Sequence, residues 1–321
     1  MKPMNLKLSE IATRLQRPDF DRVLVACHRS PDGDACGSAH ALAMALRKMG
    51  KLARVFCPDP FGAEFSYITE QERELSFFEP EHFITVDVAA PDMLCGADFT
   101  DRIHVVLDHH RINTVQGVDK YVDPTSASCG QIVLELIEAM GVTPDRPMAL
   151  ALYTAMATDT GCFRYSNTDK RVHLAVASLC DYVEAGDFYR INKALFETKS
   201  PLQLKLEGFA LSRLSYAAGG RVAYLAVSLE EQRELGASYE DLDCLIGVIR
   251  QPEGVVLALC AKEREAGIYK VSVRSEEGID ASAFCAAFGG GGHMAAAGCT
   301  LYGEKDEVLS RLLARAEECL P

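Results

Sequence analysis

No stretch of this sequence approaches the ~20 consecutive apolar residues that a membrane-spanning helix needs. Its start, Met1-Lys2-Pro3-Met4-Asn5-Leu6-Lys7-Leu8-Ser9-Glu10, has no apolar core of the kind a signal peptide carries. Cys-x-x-Cys is missing although there are 12 cysteines, which removes zinc ribbons and thioredoxin-type redox sites. The scattered thiols, such as Cys260 and Cys285 in apolar stretches, read as small hydrophobes. Disulfides are not expected in a reducing compartment, and the expected location is cytoplasmic, with no membrane partner. Basic charge is also short. Lys and Arg number 33 against 46 Asp and Glu, for a net charge of −13. A basic face for duplex nucleic acid is therefore not expected. A short phosphate-bearing substrate stays open if bound cations supply the positive charge. There are no heptads, no internal repeat and no obvious exposed apolar stripe, which argues against a protein built only for interaction.

What is present suits a globular enzyme. The 321 residues are 48% hydrophobic and 25% charged, enough for two domains of ~150 residues each. In the first half, short β-rich runs alternate with helical ones. Residues 22–26, 52–56, 83–86 and 103–107 read as strands. Ala35, Ala39, Leu42, Leu46 and Met49 recur at helical spacing, with Gly50 where a C-terminal cap would stand. Residues 129–140 and 147–157 read as further helices. This alternation predicts an α/β fold with a mostly parallel sheet flanked by helices. The first domain is expected over 1–186, a helical linker over 187–208, and a smaller α/β domain over 209–321. In that second domain 222–228, 255–261 and 269–274 read as strands, and 239–249 and 281–288 as helices.

Polar residues collect just after the predicted strands. The first strand runs into His28-Arg29-Ser30-Pro31-Asp32-Gly33-Asp34, another into Asp87, and another into Asp108-His109-His110. Thr158-Asp159-Thr160-Gly161 follows a predicted helix. In open α/β sheets the carboxyl ends of the strands line the ligand crevice, so these groups can converge. Alone, Asp32-Gly33-Asp34 is most often a solvated turn and Asp87 a helix cap. Two adjacent histidines after a strand are harder to dismiss. Imidazole with carboxylate suits Mn²⁺, Fe²⁺, Co²⁺ or Zn²⁺, and Mg²⁺ where carboxylates dominate.

These clusters resemble the motifs of the DHH phosphoesterase family. His28-Arg29-Ser30-Pro31-Asp32-Gly33-Asp34 looks like its first motif and Val86-Asp87 its second. Asp108-His109-His110-Arg111-Ile112-Asn113 looks like the third and Thr158-Asp159-Thr160-Gly161 the fourth. Gly289-Gly290-Gly291-Gly292-His293-Met294-Ala295-Ala296-Ala297-Gly298 resembles the glycine-rich signature of the associated DHHA1 domain. The resemblance implies two divalent ions, Mn²⁺ first and Mg²⁺, Co²⁺ or Zn²⁺ as alternatives. Their ligands would be His28, Asp32, Asp34, Asp87, His109 and Asp159, with Asp87 bridging. Asp108 would orient the histidines, and His110 would face the phosphate as an acid. Four aspartates at about −4 against two ions at about +4 leave such a site near neutral, which explains how an acidic protein tolerates an anionic substrate.

In the second domain the resemblance implies substrate binding by Arg274, by Gly289, Gly290, Gly291 and Gly292, and by His293. Arginine offers a bidentate fork to phosphate, and glycine lets backbone N–H groups approach an anion. The active site is expected in the cleft between the domains. The compact two-domain layout resembles the bacterial branch that degrades very short RNA from 3′ to 5′ and dephosphorylates 3′-phosphoadenosine 5′-phosphate, by a two-metal mechanism. Enzymes that cleave cyclic di-AMP or linear pApA and pGpG have the same layout. A nucleotide-binding regulatory module without turnover is the reading from another class. A homodimer is a further expectation.

Overall fold

The structure is a computed structural model and describes residues 6–72, 75–276, 278–292 and 294–320. The chain divides into two compact units, Met1–Thr198 and Lys199–Pro321. In the first, strands β1 (Val23–Ala26), β2 (Ala53–Phe56), β3 (His82–Val86), β4 (Val105–Asp108) and β5 (Asp119–Val122) form one sheet in the order β2-β1-β3-β4-β5. Every pairing in it is parallel. The predicted parallel sheet is present. β5 was not foreseen, because Asp119-Lys120-Tyr121-Val122 is half-polar and stands at the sheet edge. Strand order reverses between β1 and β3. That reversal opens a crevice at their carboxyl ends, where the connections leave in opposite directions.

Helices α1 (Leu8–Gln16), α2 (Gly33–Lys48), the single turn α3 (Ser66–Thr69), α4 (Cys129–Ala139), α5 (Arg146–Asp159), α6 (Lys170–Leu179) and α7 (Asp187–Asn192) complete this unit. The spacing of Ala35, Ala39, Leu42 and Leu46 predicted one buried stripe on α2. Instead every residue from Gly33 to Leu46 is buried. A helix buried all round lies inside a domain, and here small residues allow it. A Cβ on Gly37 would stand 2.2 Å from the Ala151 carbonyl oxygen, and one on Gly33 would stand 2.4 Å from Thr158 Cγ2. These glycines let α2 lie directly on α5. At the far end Gly50 takes φ +83°, and Lys51 N–H reaches back to the Leu46 carbonyl at 3.1 Å, which closes the helix.

The segment 187–197 packs within the first unit. Asp187 accepts two hydrogen bonds from Arg146, each 2.8 Å, and the Phe188 ring stacks on Tyr153 at 3.8 Å. Helix α8 (Pro201–Arg213), which covers residues 201–208 of the expected linker, lies in the second unit.

The second unit holds β6 (Ser215–Ala217), β7 (Val222–Val227), β8 (Leu257–Glu265), β9 (Ile268–Ser275), β10 (Gly291–Gly292) and β11 (Ala296–Tyr302), in the order β10-β11-β9-β8-β7-β6. Only β7 and β8 pair in parallel, so this sheet is mixed. Alternate residues face opposite cores, as strand geometry requires. Val222, Leu257, Leu259, Val271 and Val273 enter one core, with helices α11 (Ala281–Ala286) and α12 (Lys305–Cys319). Ala223, Leu225, Val227, Ala258 and Cys260 enter the other, with α8 and α10 (Leu245–Ile249). The helix expected over 239–249 is split into a 3-10 stretch, Glu240–Cys244, followed by α10. A short helix α9 (Leu229–Leu235) follows β7 behind a Ser228 capping box. All 12 cysteines are free thiols. Among the described residues no helix is long and apolar enough to cross a membrane.

Close contact between α2 and α5 leads to the first prediction. Gly37→Val is expected to destabilise the protein by about 1–3 kcal/mol through overpacking. Urea denaturation measures it, and an unchanged midpoint would mean that the two helices can separate at no cost.

Candidate metal centre

The carboxyl ends of β1, β3 and β4 and the last turn of α5 bring six donors together. His28 stands two residues beyond the end of β1. Asp32 caps α2, its Oδ1 accepting the Ala35 N–H at 3.0 Å. Asp34 enters the first turn of that helix. Asp87 leaves β3 with φ +57°, a left-handed conformation costly for a residue with a side chain. Asp108 is the last residue of β4, which runs one position further than the strand was expected to, and His109 follows it. Asp159 lies in the last turn of α5, not beyond the helix as the sequence suggested.

Two groups of donors form around Asp87. His28 Nε2 lies 3.4 Å from Asp87 Oδ2 and 3.8 Å from Asp32 Oδ1. His109 Nε2 lies 3.5 Å from Asp87 Oδ1, 3.7 Å from Asp34 Oδ2 and 3.2 Å from Asp159 Oδ2. Within each of the sets His28–Asp32–Asp87 and Asp34–His109–Asp159, the ligand atoms lie within 4.8 Å of one another. Asp87 has one oxygen toward each set. It is buried, and its Oδ1 has no hydrogen-bond partner among the described residues. A buried carboxylate oxygen left without a donor is costly, and a cation would satisfy it. The donor set is nitrogen and carboxylate only, which suits divalent first-row ions and Mg²⁺.

Proton affinities in the cluster agree. Burial works against charge on His109, but the adjoining carboxylates of Asp87, Asp34 and Asp159 outweigh it and lift its pKa to about 11. His28 rises to about 9 in the same way, burial being overcome by Asp87. Burial and the charge of Asp87 push Asp34 up to about 7, and Asp159 is also raised, first by burial and then by Asp34. Asp87 moves down despite its burial, because both histidines face it. Without cations the cluster holds protons in their place.

Backbone and side chains fix these groups. The N–H groups of Cys129 and Gly130, at the start of α4, point at Asp34 from 2.7 and 2.8 Å, and Ser38 Oγ donates from 2.9 Å. Asp108 Oδ1 accepts the His109 N–H at 2.9 Å and His110 Nδ1–H at 2.8 Å. His110 Nδ1 is also 3.6 Å from Asp87 Oδ1. Asn113 Nδ2 donates to Asp108 Oδ2. Asn167 Nδ2 donates to the Asp159 carbonyl at 3.1 Å. The support from α4 escaped sequence reasoning, although Ser128 before an apolar helical run marks a helix N-terminus able to meet an anion.

The second unit places Arg274 at the end of β9, paired across the sheet with Ala296 of β11. It lines a small recess with Arg250, Val256 and Glu276. β11 also pairs with Gly291 and Gly292 of the edge strand β10, so Arg274, on the interior strand β9, lies two strands from the glycine segment at the same end of the sheet. Here the glycine expectation needs correction at two positions. Gly289 N–H donates to the Ala286 carbonyl and Gly290 N–H to that of Cys285, both at 3.0 Å. They close α11 and are not open to an anion. Gly290 serves close packing instead, since a Cβ there would stand 2.2 Å from the Gly298 carbonyl oxygen. His293 lies outside the described residues.

Residues 22–158 match the DHH family, N-terminal domain, and residues 219–320 match the DHHA1 domain. The chain is 33% identical over 305 residues to the bifunctional oligoribonuclease and PAP phosphatase NrnA of Thermus thermophilus, covering 92% of this chain and 89% of that one. An exopolyphosphatase-related protein from Bacteroides fragilis shares the fold, with a TM-score of 0.86 at 23% identity over 97% of this chain and 96% of that one. RecJ of Thermus thermophilus in complex with Mn²⁺ shares it more loosely, with a TM-score of 0.54 at 15% identity over 98% of this chain and 55% of that one.

Raised histidine pKa values predict proton-linked metal uptake. Below about 9, His28 keeps its proton in the metal-free protein, so a cation must displace it. Affinity for Mn²⁺ is expected to increase with pH, about tenfold per unit for each proton displaced. Calorimetry in two buffers of different ionisation enthalpy reads the released protons directly. A pH-independent affinity between roughly pH 6 and 8 would remove both imidazoles from the ligand set.

Proposed function

We propose, from the premise that this chain belongs to the DHH/DHHA1 phosphoesterase family, that it hydrolyses short oligoribonucleotides from the 3′ end and 3′-phosphoadenosine 5′-phosphate, using two divalent cations. The observation that carries the reading is Asp87, a buried carboxylate with one oxygen toward each of two donor groups. His28, Asp32 and Asp87 would hold one cation, and Asp34, His109, Asp159 and Asp87 the other. Mn²⁺ is the first candidate, supported by the nitrogen and carboxylate donors and by the Mn²⁺ complex of RecJ. When bound, such cations supply activation of water and neutralisation of charge on the phosphate oxygens.

The chain's own groups do the rest. Asp108 accepts a hydrogen bond from His110 Nδ1–H, which leaves Nε2 as the nitrogen that, in the imidazolium form, would give its proton to the departing oxygen and return to the neutral Nδ1–H form. The guanidinium of Arg274 offers paired donors to a terminal phosphate. The substrate is small on this reading, because the net charge of −13 provides no long basic track for a phosphate backbone. The name of the Thermus thermophilus relative supports both substrate types.

A substrate panel with Mn²⁺ tests the reading: RNA of two to five nucleotides, 3′-phosphoadenosine 5′-phosphate, pApA, pGpG, cyclic di-AMP and pyrophosphate. Turnover of the first two is expected. Preference for cyclic di-AMP would replace the substrate assignment, and tight binding without turnover would make the protein a regulatory module. Asp87→Asn is expected to lower kcat by about 10³ or more, since both cations would lose a ligand. Arg274→Ala is expected to raise KM about tenfold or more with a smaller change in kcat. Near-normal kcat in the Asp87 variant would overturn the shared-ligand assignment.

A further inference from the structure

Lys120 is tied down more completely than a solvated surface lysine. It stands on β5, opposite Val106 of β4. Its ammonium donates to Asn113 Oδ1 at 2.7 Å, to the Asn113 carbonyl at 3.0 Å and to the Val115 carbonyl at 3.1 Å. An ammonium has three N–H donors, and all three are used on one loop.

Asn113 is fixed in turn. Its Oδ1 accepts from Lys120 and from the Val115 N–H at 3.0 Å. Its Nδ2 donates to the Val88 carbonyl at 2.8 Å and to Asp108 Oδ2. The amide cannot flip without setting donors against donors at one end and acceptors against acceptors at the other. Asp108 is fully buried and passes the constraint on, since its other oxygen holds His110 Nδ1–H. A continuous run of hydrogen bonds therefore links Lys120 to Asn113, Asp108 and His110.

We propose that Lys120 is a positioning residue for His110, acting through Asn113 and Asp108. This rests on the role given to His110 above. The position carries no sequence signal, because a lysine in a half-polar edge strand reads as solvent-facing. Its effect comes from geometry: it closes the 113–115 turn in the one arrangement that presents Asn113 Nδ2 to Asp108. With that amide loose, the Asp108 carboxylate can rotate and the His110 ring loses its fixed direction.

Lys120→Met and Lys120→Arg in the full chain test this. With Mn²⁺ and 3′-phosphoadenosine 5′-phosphate, Lys120→Met is expected to lower kcat about tenfold, as loss of a supporting hydrogen bond does, with KM and metal stoichiometry unchanged. Lys120→Arg, which keeps N–H donors in place, is expected to recover most of it. A second readout needs no turnover. In metal-free, ¹⁵N-labelled protein, the slowly exchanging Nδ1–H resonance of His110 is expected in wild type and the Arg variant, and lost in Lys120→Met. If Lys120→Met does not fold, Lys120→Gln takes its place in both measurements. Retained kcat together with a retained Nδ1–H signal would overturn the proposal, as would a lowered melting temperature with kcat unchanged. Absence of turnover in the wild type would sink the proposed function, while the resonance would still decide the role of Lys120.

Discussion

A buried carboxylate oxygen without a hydrogen-bond donor costs about 1–3 kcal/mol, and at the centre of the first unit Asp87 Oδ1 is in that position, the cost offset by the two histidines that face the carboxylate. The residue also takes a left-handed backbone conformation, which adds strain at the same place. Three further aspartates crowd the same crevice, and all three are pushed toward protonation, first by burial and then by neighbouring carboxylates, Asp87 among them. A fold does not assemble such repulsion for stability. Divalent cations would satisfy these groups together without the protons that hold the metal-free cluster, which is why the donor set reads as a candidate metal centre.

The scaffold answers this concentration of charge in two ways. The start of α4 aims two N–H groups at Asp34, where the helix dipole also favours an anion. That geometry depends on Gly130, because a Cβ there would stand 2.3 Å from Ala155 Cβ, and on the close seating of α2 against α5. On the other side, Asp108 is held by backbone, imidazole and amide together. The packing of small residues in the helices and the placing of carboxylates in the crevice are therefore one constraint. A shift of α2 would move Asp32 and Asp34, which stand at its beginning.

Much of this was legible in the chain. A donor that follows a strand is announced by the strand, and His28, Asp87 and His109 each stand within two residues of an apolar β run. The parallel order followed from the alternation of strands and helices. Three things were not legible, each for a physical reason. β5 lies at an edge and carries half-polar residues, so neither burial nor alternation marks it. α2 is buried all round, which helical periodicity cannot distinguish from a single stripe once alanine and glycine fill every face. Gly289 and Gly290 looked like an anion cradle, but their N–H groups close α11. A glycine run shows where the backbone can go, not what its N–H groups meet there.

The same distinction bears on substrate choice. Reaction type is written in the first unit, in side chains whose chemistry has few alternatives once they converge. On the proposed reading recognition would rest on fewer groups, and because the Gly289 and Gly290 N–H groups are already occupied, more of it would fall to Arg274. A single guanidinium binds phosphate through charge and two parallel hydrogen bonds, without regard to the base attached. That suits an enzyme for the ends of short RNA and for a small bisphosphorylated nucleoside alike. In both, a phosphate to be cut and a second phosphate to be held are separated by little more than one nucleoside, and an acidic surface disfavours any longer polyanion.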